Sequence, residues 1–151
     1  MKRYIALLRG INISGNVLFS SADGNVTALT DRVERMMQRE FGLDIPVFII
    51  PQEELANILR HAPDWWENEN KEIYDNLIFI LPPATFPDIY DEIGAPKEGL
   101  EQIQEYQSAV FWSFSRKNYQ KTNWWPKTAR VDIGWKLTIR TANTVRKIVS
   151  M

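Results

Sequence analysis

The sequence predicts an α+β fold made of two similar halves, each an antiparallel sheet with its helices on one face. Residues 76–151 show the order strand, helix, strand, strand, helix, strand, which is the order of a ferredoxin-like unit. Residues 1–62 show only strand, strand, helix, strand. The first half therefore corresponds to the same unit without its first helix and second strand. The acidic segment 63–75, which carries Trp65-Trp66, is expected to connect the halves.

Apolar periodicity defines the elements of the first half. We expect strands over residues 3–9, 16–21 and 46–50, a helix over about 25–41 and a short helix from Pro51. Asp23 is the expected N-cap of the long helix, and Gly42 stands at its stop position. Apolar residues at i, i+3, i+4 spacing give this helix one buried face.

The second half repeats the alternation of strands and helices, and proline and glycine mark the ends of its elements more clearly. We expect strands over 76–81, 101–106, 109–115 and 136–140, helices from Phe86 to Ile93 and over 142–149, and a helical segment from Tyr119 to about Ala129. Pro82-Pro83 ends the first of these strands, and Gly94 stops the first helix. Pro126 is expected to break the helical segment.

Composition excludes several classes of protein. At 151 residues the chain buries enough surface to fold without a disulfide or a structural metal. Cysteine is absent and His61 is the single histidine, so the sequence predicts no metal and no cofactor. No phosphate-binding loop, dinucleotide fingerprint or nucleophile elbow occurs. The lack of cysteine and of any apolar run long enough for a membrane span favours a cytoplasmic protein.

Charge is unevenly distributed along the chain. Residues 53–105 contain thirteen acidic and three basic residues, a balance of −10, whereas residues 116–151 contain nine basic residues and Asp132, a balance of +8. The basic quarter either contacts an anionic ligand or nucleic acid, or faces the acidic middle within the fold. We favour the second interpretation because the whole chain has a net charge of −1.

Three motifs carry a resemblance to a known family: Arg9-Gly10-Ile11-Asn12, Ser14-Gly15-Asn16-Val17, and Thr138-Ile139-Arg140-Thr141-Ala142-Asn143-Thr144. With Tyr119-Gln120-Lys121-Thr122, they resemble the bacterial domain-of-unknown-function family sixteen-ninety-seven over nearly the whole chain. The resemblance implies a duplicated ferredoxin-like fold. It implies no established activity, and whether the protein is an enzyme stays open.

The chain departs from this family between Ile13 and Ser14. Family members carry a glycine- and lysine-rich loop, a helix and a strand at this place, whereas here the two residues are adjacent. Either about thirty residues are deleted, or they are omitted from the sequence, which is the interpretation we prefer. A Cα–Cα separation near ~3.8 Å would indicate a true junction.

The first candidate site lies at the ends of the first two strands. The family motifs place Arg9, Asn12, Ser14 and Asn16 there. The Arg9 guanidinium is a planar donor suited to carboxylate or phosphate, and asparagine side chains both donate and accept. The alternatives are a structural ion pair for Arg9 and simple turn chemistry for Asn16.

The second candidate site is the start of the last helix. Thr141 or Asn143 can cap this helix, whose first N–H groups favour an anion. Arg140 and Thr144 flank the helix start, and Lys121 with Thr122 can supply a further cation and hydroxyl. The alternative is a capped helix with solvated lysines.

Three functions follow from these features. The favoured one is binding of a small anionic ligand or nucleotide by the candidate residues. The second is a module that binds a partner or itself through the acidic middle and Trp65-Trp66, its oligomeric state being open. The third is nucleic-acid binding through the basic quarter with Trp124-Trp125, although the flanks of strand 110–114 are not basic enough for an RNA-binding strand. Packing of one of those two tryptophans in the core and the other at the rim is the alternative.

Overall fold

A computed structural model describes residues 1–9 and 14–151 and divides the chain into two compact units. The first unit comprises Met1–Asn57 and Lys147–Met151, and the second comprises Ile58–Arg146. The expected connector 63–75 therefore lies within the second unit, and the last residues of the chain lie within the first.

Local contacts explain this division. The Trp66 indole donates to the Asn76 carbonyl at 2.9 Å, and its ring meets Phe111 edge-on at 5.0 Å. The Gln52 side-chain amide donates to the carbonyls of Ile148 and Val149, each at 3.2 Å. The tryptophan thus fixes the expected connector to the second sheet, and the glutamine fixes the chain end to the first unit.

The first unit contains a three-stranded antiparallel sheet. Its elements are β1 (Lys2–Arg9), β2 (Ser14–Ser21), α1 (Val26–Phe41) and β3 (Val47–Pro51), and α2 (Gln52–Arg60) begins in this unit. The strand order is β2-β1-β3. Within residues 1–9 and 14–62 this is a ferredoxin-like sheet without its second strand, as predicted. β2 pairs directly with β1, and Arg9 lies opposite Ser14. The Ile13–Ser14 junction lies outside the described residues.

Helix α1 covers one face of this sheet, where Tyr4, Ala6 and Leu29 are buried together. Its N-cap is Asn25, whose side chain accepts the Ala28 N–H at 3.0 Å. The prediction of Asp23 as the cap was wrong, because its carboxylate accepts the Asn25 N–H and so shapes the preceding turn. Gly42 ends the helix in the left-handed conformation, as predicted.

The second unit contains a four-stranded antiparallel sheet. Its elements are β4 (Ile73–Ile80), α3 (Phe86–Ile93), β5 (Glu101–Tyr106), β6 (Ala109–Ser115), a 3₁₀ turn (Tyr119–Lys121), α4 (Trp124–Thr128), α5 (Val131–Gly134) and β7 (Leu137–Thr141). The strand order β5-β6-β4-β7 is the complete ferredoxin-like arrangement. α6 (Ala142–Ser150) begins in this unit. The prediction that Pro126 breaks a helix was wrong, since it lies in the first turn of α4, where proline is tolerated.

A buried carboxylate organises the core of the second unit. Glu101 at the start of β5 is only 5% exposed. Its oxygens accept the Trp112 indole N–H at 3.1 Å and the backbone N–H groups of Lys97 and Trp124 at 2.9 and 3.2 Å. The Asn123 N–H is a further donor. One side chain therefore joins β5, β6 and the start of α4, and its charge is compensated by donors.

Glu101→Ala is expected to lower the free energy of unfolding by about 3–5 kcal/mol, since several buried N–H groups lose their acceptor. Glu101→Gln is expected to cost about 2 kcal/mol, because the amide nitrogen would face donors. Urea unfolding followed by tryptophan fluorescence measures both. Glu105→Gln, an exposed change in the same strand, should stay within about 0.5 kcal/mol of wild type. Equal stability of Glu101→Ala and wild type would contradict the assigned role.

Candidate functional site

A polar cavity of about 710 Å³ lies in the second unit where β7 leads into α6. Its lining combines charged side chains with the first turn of that helix: Glu67, Glu69, Asn70, Lys71, Ile73, Tyr74, Asp75, Arg116, Thr141, Ala142 and Asn143. The volume suits a small molecule. The predicted helix-start site therefore forms part of a cavity.

Thr141 caps the helix end of this cavity. Its hydroxyl oxygen accepts the Thr144 N–H at 3.3 Å and lies 3.0 Å from the Thr144 hydroxyl oxygen. The first N–H groups of a helix carry partial positive charge. The exposed Asn143 adds a side-chain amide at the cavity. This end of the cavity suits an anionic group.

The opposite wall is a turn with an unusual backbone. Glu67 and Glu69 both have positive φ angles, 59° and 68°, a conformation that costs a non-glycine residue free energy. The Glu67 carboxylate holds its position by accepting two N–H groups from Arg146, at 2.9 and 2.6 Å. This ion pair also reduces the negative charge at the cavity.

Asp75 lies behind this turn in β4. It accepts hydrogen bonds from the Ser113 hydroxyl and the Glu67 backbone. Burial raises the pKa of Asp75 above its ordinary value, and the bond from Ser113 opposes that shift in part. Asp75 therefore retains a proton to higher pH than an exposed aspartate.

An aromatic cavity of about 520 Å³ lies in the same unit. Its lining is dominated by rings: Tyr74, Asn76, Trp112, Phe114, Arg116, Tyr119, Trp125, Thr128, Ala129 and Ile139. Tyr74 stacks on Phe114 with centroids 5.5 Å apart, and Tyr119 meets Trp125 edge-on at 4.7 Å. Such a cavity suits a planar ring.

Tyr74 and Arg116 line both cavities. The Arg116 guanidinium carbon lies 4.4 Å from the centroid of the Tyr74 ring, within the range of a cation–π contact. This pair therefore joins a polar compartment to an aromatic one. A ligand that reaches both must combine charge with a ring.

Other predicted residues of the second unit have structural partners. Arg140 donates to the Thr138 hydroxyl at 2.8 Å and to the Ile139 carbonyl at 3.0 Å. The buried Thr122 donates to the Tyr119 carbonyl at 2.7 Å and accepts the Trp125 N–H at 3.2 Å. Neither these two residues nor Lys121 belongs to the linings of the two cavities.

The residues predicted in the first unit lie at one end of its sheet. Arg9 ends β1, burial lowers its pKa, and the backbone of Ser14 lies opposite it. Asn16 is exposed in β2, opposite Leu7. Asn12 lies outside the described residues. A ligand site at this end stays a prediction.

Some basic residues of the C-terminal quarter form ion pairs with acidic residues of the middle segment within the second unit. Lys136 forms an ion pair with Glu92 at 2.6 Å, and Arg146 pairs with Glu67 across the same acidic and basic segments. These contacts support the interpretation that the basic quarter faces the acidic middle. The hydrogen bond from Lys136 to Glu92 raises the pKa of Lys136.

The burial of the tryptophan pairs and of β6 affects the two interfaces considered from the sequence, one for a protein partner and one for nucleic acid. Trp124 is fully buried while Trp125 is 36% exposed, which confirms one core and one rim residue. Trp66 is also buried, so Trp65-Trp66 does not form an exposed aromatic pair. Phe111, Trp112 and Phe114 of β6 are buried as well, so they are not displayed for stacking on RNA bases.

The sequence interpretation missed Tyr74, Arg116 and Asp75. One signal was present, because Trp112, Phe114 and Arg116 recur with the period of two that places strand residues on one face. Among the described residues there is no group of acidic or histidine side chains able to hold a metal. In the same part of the chain no helix is long and apolar enough to cross a membrane.

Asp75→Asn is expected to stabilise the protein relative to wild type by an amount that grows as pH rises. The raised folded-state pKa means that stability is lost between the unfolded value, about 3.9, and the folded value. Asp132→Asn should show the opposite trend, because the bond from Arg130 lowers the pKa of Asp132. Chemical unfolding across a pH series tests both. If the free energy of unfolding of Asp75→Asn and that of wild type changed with pH in parallel, the assignment for Asp75 would be contradicted.

Comparison with known proteins agrees with this architecture. The solved structure of the conserved bacterial protein SP0830 from Streptococcus pneumoniae matches with a TM-score of 0.82 and 21% identity, over 99% of this chain and 97% of that one. At this identity the likeness shows the fold. A search of curated proteins finds no match. A family model described as "Protein of unknown function (DUF1697)" matches residues 13–111, and the chain belongs to that family.

Proposed function

We propose that the second unit binds a small molecule that combines a planar aromatic ring with an anionic group, as a nucleotide does. The observation that carries this proposal is the Tyr74–Arg116 pair, which lines both cavities. A ring would enter the aromatic cavity beside Tyr74, and the anion would lie in the polar cavity near Arg116 and the start of α6.

Charge in the polar cavity is compatible with an anion despite three carboxylates. Glu67 is paired with Arg146, and burial raises the pKa of Asp75. Arg116, Lys71 and the N-terminus of α6 remain as positive groups in the lining. Anion affinity should therefore rise as pH falls and Asp75 becomes protonated.

The volumes support a ligand of this size. Cavities of about 520 and 710 Å³ fall within the range of small-molecule sites. The Glu67 and Glu69 backbone conformations add support, because strained residues cluster at binding sites. We further propose that this bacterial protein acts in the cytoplasm, which the absence of cysteine supports.

The test uses the four ribonucleoside monophosphates, adenosine alone and inorganic phosphate alone, with melting temperature as the first measurement and calorimetry as the second. A ligand at a hundred times its Kd stabilises by about 2.7 kcal/mol, which raises Tm by roughly 5–10 °C in a protein of this size. We expect a nucleotide to exceed both adenosine and phosphate, since only it fills both cavities.

Tyr74→Ala and Arg116→Ala should each abolish the nucleotide-induced shift. Lys117→Ala is the matched control, because Lys117 is an exposed neighbouring cation that lines neither cavity. A shift lost equally in the control would indicate nonspecific charge binding. No shift with any of the nucleotides would contradict the proposal.

A further inference from the structure

In the chain as its sequence runs, with Ile13 directly before Ser14, β2 forms an unprotected edge of the first unit's sheet. Within the described residues it pairs with β1 on one side and with no strand on the other. Its eight residues include no charged residue and no proline. Edge strands usually carry such residues, which prevent pairing with another chain. The other edge strands do so, with Pro51 in β3, Glu105 in β5 and Arg140 in β7.

The backbone of this edge presents groups that can pair. Successive residues of an antiparallel strand direct their N–H and C=O groups to opposite sides. Arg9 donates its N–H to Pro46, on the β3 side of β1. By alternation, the backbone N–H and C=O of Ala6 point toward β2. Its partner Val17 therefore directs its own backbone groups toward β1. Leu18 therefore directs its backbone groups outward, away from β1.

The side chains of β2 are complementary to those of the same strand in a second copy. A two-fold axis at Leu18 would place Leu18 opposite Leu18 and Val17 opposite Phe19 of the second copy. Asn16 would lie opposite Ser20. Apolar residues would meet apolar residues, polar residues would meet polar residues, and no like charges would face each other. The outward backbone groups of Leu18 would form the central hydrogen-bonded pair of the ladder in this register.

The pairing also covers exposed apolar surface. Val17 is 46% exposed, and the register places it on the same face of the sheet as Tyr4 and Phe19, whose rings stack at 5.7 Å. An open groove of about 540 Å³ runs beside this face between β2 and α1, with Leu29 and Met36 in its lining. Phe19 from a second strand would cover Val17 and extend the apolar floor of the groove.

We propose that two copies of this chain associate through antiparallel pairing of their β2 strands about Leu18, forming one continuous six-stranded sheet. An acidic peptide is the competing occupant of this edge, since Arg32, Arg35 and Arg39 also line the groove. Arg35 and Arg39 already form exposed ion pairs with Asp31 and Glu40. These pairs reduce the positive charge that the groove offers to an acidic peptide. The symmetric pattern of β2 favours the second copy.

Sedimentation equilibrium of the full chain should give twice the monomer mass of 17.6 kDa. Leu18→Lys and Leu18→Glu should each be monomeric, because each places two like charges opposite one another at the two-fold axis. An equimolar mixture of the two variants should recover the dimer through opposite charges, which a folding defect would not allow. Gln104→Lys, the same kind of change on the β5 edge, should remain dimeric.

Several outcomes would overturn the proposal. A wild-type monomer at all concentrations tested would do so, and a monomer that binds a poly-glutamate peptide would assign the edge to an acidic partner. A dimer that persists in Leu18→Lys would place the interface elsewhere. Failure of the mixed variants to associate, with both folded by circular dichroism, would also reject pairing about Leu18.

Discussion

The buried carboxylate of Glu101 is the interaction on which the second unit depends. A buried charge is costly unless donors surround it, and here backbone and indole N–H groups from three parts of the chain supply them. Two of these donors, Asn123 and Trp124, precede or begin α4. Since α4 carries Trp125 to the aromatic cavity, the carboxylate that fixes the core also fixes one wall of the candidate site.

The polar cavity is held by a different set of constraints. Its turn contains two left-handed glutamates, and contacts on both sides of the turn hold it in place. Trp66 packs against Phe111 on one side, while Asp75 accepts a backbone hydrogen bond from Glu67 on the other. The conformational cost at Glu67 is thus offset by burial and ion pairing nearby. A rigid wall of this kind lowers the entropy lost when a ligand binds.

Strong local patterns made most of the fold predictable. The β5–β6 hairpin was predicted with its observed bounds because its strand pattern is interrupted only at Gln107 and Ser108, both of which have positive φ. Asp23 was mistaken for a cap because several capping residues are adjacent there. The Tyr74–Arg116 pair depends on the pairing of β4 with β6, a long-range register that local periodicity does not specify.

The two units show what one additional strand contributes to this fold. In the second unit, β5 closes the edge beside β6, and its Glu101 side chain makes that closure part of the core. In the first unit no described strand takes this position, so β2 is left as an uncharged edge. The second unit therefore has a closed sheet edge beside β6, while the first unit has an uncharged edge strand. The two proposals concern different parts of the chain, so substitutions at Leu18 and at Tyr74 test self-association and ligand binding separately.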